Sequence, residues 1–288
     1  MTIEIVIPSL RQFEAERLVW SLAHQTHPPD VVTVVSNETQ PFENPGVKCR
    51  LLRFSSKDYG VGDLDVALRQ NVGIWGTECD TLIIQGDDQI APPSMVEDTL
   101  RVMGEKPYIW GNHRLIDFSL HADEEIRHMP RETGQSRESS APAQHGHWSC
   151  YGGMFAANAE FLREVGGFDM AFNGRHGGED QALGYRLMRR DGQQSVWICD
   201  PPFSWHGIEL KYGDTRARSP WLEPITNGCG KGLHDFIPDV WKSLSNDVPY
   251  LQCRNCPVWH CDATEGLFRD EVLVRYQPEL VQTMSVWL

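Results

Sequence analysis

Two short acidic clusters carry most of the chemistry legible in this chain. The run His176-Gly177-Gly178-Glu179-Asp180-Gln181 sets two carboxylates behind glycines, and the apolar run Thr81–Ile84 leads into Gly86-Asp87-Asp88. An acidic pair at the end of a buried strand can hold a divalent cation, and a carboxylate in a second loop can take a proton from an incoming hydroxyl. Together they imply group transfer from a metal-bound diphosphate. Each cluster also has a plainer reading on its own. Asp87 and Asp88 would serve as a turn and cap before the helix that Pro92-Pro93 introduces, and Glu179 and Asp180 as acids favoured at a helix N-terminus.

The elements that must position these groups follow from periodicity. Ile3–Pro8 is β-rich, and Arg11–His24 places Phe13, Leu18, Leu22 and Ala23 at mainly helical spacing. Strands are expected at Asp30–Val35, Lys48–Phe54, Thr81–Gln85 and Tyr108–Asn112, and helices at Gly62–Gly76 and Ser94–Met103. Further helices are expected at Asn158–Val165, ahead of a Gly166-Gly167-Phe168-Asp169 turn, and over Glu179–Arg190. Alternating β and α units predict an α/β fold with a mostly parallel sheet flanked by helices. Residues 119–147 hold charges, Ser, Pro and four of the eleven histidines with little apolar periodicity, and read as a long loop, either a lid or a disordered linker.

Length and composition bound the function. The 288 residues, 40% hydrophobic, suit one large domain with an appendage: 1–212 as the main domain and 213–288 as a C-terminal extension. A net charge of −14 disfavours nucleic acid and anionic membrane as partners unless positive charge is gathered locally, as at Arg127, Arg131 and Arg137. No apolar stretch is long enough to cross a bilayer and the first residues lack a secretory signal, so the expectation is a soluble, cytoplasmic protein. Cys49, Cys79, Cys150 and Cys199 are scattered and read as reduced core residues. The remaining cysteines crowd the tail. Cys229, Cys253, Cys256 and either His260 or Cys261 suit a tetrahedral structural Zn²⁺ knot, and reduced or redox-labile thiols are the competing reading.

Four motifs in order resemble the GT-A glycosyltransferases of the family 2 type over residues 1 to about 210: Ile5–Ser9, Arg69–Ile74, Gly86-Asp87-Asp88, and Gly166–Asp169 followed by Gly177–Arg186. Two departures stand out: Gly86 replaces the first acid of the usual triplet, and Ser36-Asn37 stands where an Asp commonly follows the second strand. The resemblance implies a GT-A, Rossmann-like sheet, a nucleotide-sugar donor and Mn²⁺ or Mg²⁺ on its diphosphate. Asp88 is then the first choice of metal ligand and Asp87 the second, with His206 either a further ligand or an ordinary buried histidine. Asp180 is the preferred base and Glu179 its alternative, with direct attack inverting the anomeric centre.

Donor contacts are expected from Pro8, Asn37, Glu38, Asp65, Arg69, Asn71 and Asp87, with Gly152 and Gly153 letting backbone approach the donor sugar. Trp148, Tyr151 and Trp205 offer flat faces to an acceptor, although aromatics near glycine-rich loops more often pack than recognise. The acceptor hydroxyl could belong to a glycan, a protein, a metabolite or a hydroxylated nucleobase. Two other classes compete. A nucleotidyltransferase would carry a glycine-rich, basic phosphate loop after the first strand, which Pro8–Phe13 does not resemble. A degenerate sugar-binding protein would fit the missing first acid of the triplet but not the retained Glu179-Asp180.

Overall fold

A computed structural model describes residues 1–36, 40–42, 45–54, 66–136, 154–168, 179–192, 197–207 and 281–286. Strands β1 (Ile3–Pro8), β2 (Val31–Val35), β3 (Cys49–Phe54) and β4 (Thr81–Ile84) form a parallel half-sheet in the order β3-β2-β1-β4. Helices α1 (Gln12–Ala23) and α2 (Val66–Gly76) cross between these strands, as the alternating pattern predicted. Because β2 lies on one side of β1 and β4 on the other, the connections diverge there, and a crevice is expected beyond the carboxyl ends of β1 and β4.

The other half is antiparallel in large part. β5 (Gln89–Ile90), α3 (Met95–Met103), β6 (Tyr108–Ile116), β8 (Phe155–Asn158) and β9 (Ile198–Gly207) complete the order β4-β8-β6-β9-β5. The sheet is therefore mixed: β8 runs antiparallel to both β4 and β6, whereas β6 and β9 are parallel. At the far edge β10 (Val281–Val286), within the expected extension, pairs antiparallel with β3. The other residues of 213–288, including every proposed zinc ligand, lie outside the described residues.

Each face of the sheet has its own cover. Ile3, Ile5, Ile7, Val32, Val34 and Ile83 pack with Leu18 and Leu22 of α1 and Met95 and Val96 of α3. On the opposite face α2 lies close to β1. A Cβ on Gly73 would stand 2.2 Å from Val6 Cγ1, so only glycine permits that approach. Beneath the C-terminal end of α2, the buried Glu4 carboxylate accepts from Arg50 Nη2 (2.5 Å), Thr77 Oγ1 (2.5 Å) and Thr33 Oγ1. Arg50 Nη2 also donates to Gly76 O (2.7 Å), placing a cation where the helix dipole is negative. Helix α5 (Ala159–Glu164), capped by Asn158 Oδ1, reaches the same end through Arg163, which donates to Ile74 O and Thr77 O.

Residues 119–136 are not the structureless loop that their composition predicted. They hold α4 (Asp123–His128), two single-turn 3₁₀ segments and the short strand β7 (Gln135–Ser136), which pairs with β6. A six-residue helix with one buried apolar residue, Ile126, shows no periodicity, yet its acidic first turn and basic last turn suit the helix dipole. Arg127, a candidate basic contact, is buried instead: it donates to Glu124 and to His24 O and stacks over Trp20. Residues 137–147 lie outside the described residues. Among the described residues no helix is long and apolar enough to cross a membrane.

Candidate active site

The loops that leave β1 and β4 meet at the switch point. Ser9 Oγ donates to Asp87 Oδ2 at 2.7 Å, the Leu10 N–H approaches the same oxygen at 3.4 Å, and Arg11 Nη2 donates to Asp87 Oδ1 at 2.6 Å. Arg11 Nε completes the clasp at 3.4 Å from Oδ2. Both Asp87 oxygens thus hold the β1–α1 turn, and the side chain is only 11% exposed. Ser9 O is in turn held by Arg69 Nη1 of α2 at 2.8 Å. Arg11 escaped the sequence reading, and its signal was a lone basic residue three positions past a strand end that faces an acidic pair.

Asp88 is arranged differently. The Gly207 N–H donates to Asp88 O (3.1 Å), Gln89 pairs with His206 across β5 and β9, and Ser204 Oγ donates to Gln89 Oε1 (2.5 Å). These ties set His206 Nδ1 3.6 Å from Asp88 Oδ1, with Arg11 Nη2 3.9 Å from Asp88 Oδ2. A separation of 3.6 Å is too long for a hydrogen bond. Two O/N ligands at about 2.0–2.2 Å from one ion, subtending tetrahedral to octahedral angles, stand about 3.0–3.6 Å apart. The pair therefore fits a shared divalent cation. His113, fully buried on β6, lies behind, its ring centroid 5.5 Å from that of His206. Among the described residues no group of three or more His, Cys, Asp or Glu side chains is placed to hold one metal ion, so two protein ligands would leave positions for water and phosphate oxygens. Gly86, in place of an acid, also has a local reason: a Cβ there would stand 3.0 Å from Asp88 Oδ1.

The remaining expected residues divide. Pro8 ends β1 beside this junction. Asn71 is turned away from it: its amide donates to Phe168 O and accepts from Phe168 N, both at 2.8 Å. Trp205 is fully buried, edge-on to Phe203 and beneath Gly134, so it cannot present a face to an acceptor. That correction follows from strand alternation, which sends Trp205 and its neighbour His206 to opposite faces of β9. Helix α6 (Glu179–Arg190) forms as predicted, with Asp180 half-buried in its first turn. Asn37, Glu38, Asp65, Trp148, Tyr151, Gly152, Gly153 and the Glu179 side chain lie outside the described residues.

Comparison with known proteins agrees with this architecture. A family model described as the N-terminal domain of galactosyltransferase matches residues 136–204, less than half of the chain but including β8, α5 and α6. Similar solved structures include a mannosyltransferase from Pyrobaculum calidifontis in complex with GDP-Man and Mn²⁺, with TM-score 0.50 and 14% identity over 77% of this chain and 61% of that one. GalNAc-T7 with UDP, GalNAc and Mn²⁺ gives 0.52 and 13% over 73% of this chain and 44% of that one. S. aureus TarS residues 1–349 in complex with UDP gives 0.51 and 11% over 81% and 68%. The chain thus spans about three-fifths of the mannosyltransferase's length. No curated protein sequence matches it. These likenesses give the chain the fold of the GT-A glycosyltransferases.

Proposed function

We propose that the chain moves a sugar from a nucleotide-sugar donor to an acceptor hydroxyl. The observation that carries this reading is the Asp88–His206 pair, set at ion-sharing distance beside the β1–β4 switch point in a GT-A fold. The structural neighbours support the donor class, since they are complexes with GDP-Man and Mn²⁺ and with UDP, GalNAc and Mn²⁺. Asp88 and His206 would hold the cation, and an imidazole in the set favours Mn²⁺ over Mg²⁺. When bound, that ion supplies positive charge against the departing diphosphate.

The chain's own residues account for the rest. Asp87 fixes the turn that carries Arg11, a cation within reach of both aspartates, next to where a diphosphate would lie. Asp180 takes the proton of the acceptor hydroxyl, with Glu179 next in line, an assistance of about 10²–10⁴ in rate. Direct attack opposite the diphosphate inverts the anomeric carbon. The acceptor is a hydroxyl of a glycan, protein, metabolite or hydroxylated nucleobase, with Trp148 and Tyr151 as its aromatic contacts. In the tail, Cys229, Cys253 and Cys256 with His260 or Cys261 hold structural Zn²⁺, which metal analysis of protein purified without added zinc checks.

The deciding experiment is turnover of a panel of nucleotide sugars with and without Mn²⁺. Metal-dependent release of the nucleotide is expected for one donor class. Neither turnover nor metal-dependent nucleotide binding would instead leave a sugar-binding or unrelated protein on this fold. Asp180→Asn should suppress turnover yet keep nucleotide affinity, because it removes the proton acceptor with little change of shape.

A further inference from the structure

The turn after α5 is gripped from two sides. Asn71 of α2 binds it as a strand would, donating to Phe168 O and accepting from Phe168 N at 2.8 Å each. From α6, Arg186 donates to Val165 O (3.0 Å) and to Gly167 O. Asn71 and Arg186 are both at least nine-tenths buried. Gly167 sits between them at φ +64°, and a Cβ there would stand 2.4 Å from Asn71 Oδ1 and 2.5 Å from the Trp75 ring. Only glycine fits this turn as it is held.

The grip lies on a continuous path. Asp87 holds Ser9, Ser9 O is held by Arg69, and Arg69 shares α2 with Asn71. Asn71 holds the turn, the turn holds Arg186, and Arg186 lies six residues, about 9 Å, along α6 from Asp180. A helix is stiff over that length, so fixing Arg186 fixes the first turn of α6.

We propose that Asn71 and Arg186 are positioning residues: by clamping the Gly166–Phe168 turn they set Asp180 at a fixed place relative to the Asp87–Asp88 loop. This rests on Asp180 being the base, and it assigns Asn71 to α6 rather than to the donor. Misplacing a reacting group by about 1 Å can lower a rate about 100-fold.

The test is Asn71→Asp, which keeps the shape and the acceptor for Phe168 N–H but sets an oxygen against Phe168 O. Two readouts are taken: Mn²⁺-nucleotide affinity by calorimetry with turnover of the active donor, and amide exchange of residues 179–190. The expected result is a fall of about 10–100-fold in kcat, nucleotide affinity within about twofold, and faster exchange at the start of α6 with β1 and β4 unchanged. Unchanged exchange in α6 would overturn the clamp. So would nucleotide affinity falling in step with kcat, since that places Asn71 on the donor. Should Asn71→Asp not fold, Arg186→Lys, which keeps one donor in place of a fork, is read in the same way. If the wild-type chain itself turns over no donor, the proposed function fails, while the exchange readout still decides whether the clamp sets α6.

Discussion

Adjacent aspartates at a metal site are usually expected to act together, but Asp87 and Asp88 should separate cleanly on substitution. In Asp87→Asn the carboxylate that accepts from Ser9 Oγ at 2.7 Å and Arg11 Nη2 at 2.6 Å becomes neutral, and its new NH₂ must face one of those donors. A hydrogen bond to a charged group contributes about 1.5–3 kcal/mol. The Arg11 side chain is 30% exposed, so solvent screening takes part of its share, and the sum is about 2–4 kcal/mol. For a chain of this size that lowers Tm by about 4–16 °C. Asp88 stands 3.6 Å from His206 Nδ1 and 3.9 Å from Arg11 Nη2, the spacing of a shared ion rather than of a direct hydrogen bond, so Asp88→Asn should lose the metal. Urea denaturation measures the first effect and electron paramagnetic resonance of free Mn²⁺ the second. Asp87→Asn should retain Mn²⁺ within about tenfold, or about 1.4 kcal/mol, and Asp88→Asn should abolish it. Equal loss of Mn²⁺ in both variants, with Asp87→Asn as stable as wild type, would refute the division of roles.

Three further outcomes follow from the packing. Arg50→Ala leaves the Glu4 carboxylate buried without its cation and should destabilise by about 3–5 kcal/mol, whereas the pair Glu4→Leu with Arg50→Met should recover most of that; a loss below about 1 kcal/mol in Arg50→Ala would contradict the buried pair. Gly73→Ala drives a methyl to 2.2 Å from Val6 Cγ1 and should destabilise by about 1–3 kcal/mol in urea titration, partly relieved by Val6→Ala; additivity of the two would show that α2 does not rest on β1 there. Burial pushes the Cys49 thiol up to about 12, so at pH 8 only about 10⁻⁴ of it is thiolate. Peptide mass spectrometry should find Cys49 alkylated only after unfolding, and labelling of the folded protein as fast as of the unfolded chain would refute its burial.

The parallel half of the fold was legible because its strands are continuous β-branched or leucine runs and its helices carry apolar residues at regular spacing. In the antiparallel half β6 and the helices were legible too, but β8 and β9 were not. β8 reads Phe-Ala-Ala-Asn, residues that suit a helix as well as a strand, and it runs directly into α5. β9 carries Pro201 and Pro202, which argue against a strand; the sheet accommodates them where the β6–β9 register shifts between Gly111 and Asn112. β9 nevertheless brings His206 to Asp88, so a strand that composition argued against supplies half of the candidate metal pair.

Residue type near a site does not say which way a side chain points, and α2 illustrates the cost of assuming it does. Arg69 and Asn71 belong to one motif, which suggested that both face the donor. Residues two apart on a helix project about 200° from each other, so no single ligand could meet both. One must turn toward the β1 loop and the other toward a different flank, and each buried polar group must then find a partner among the backbone atoms it meets. Ser9 O and the Phe168 peptide are those partners. The spacing sends the two side chains apart, and their burial makes α2 a bridge between two loops, the second of them tied to the helix of Asp180.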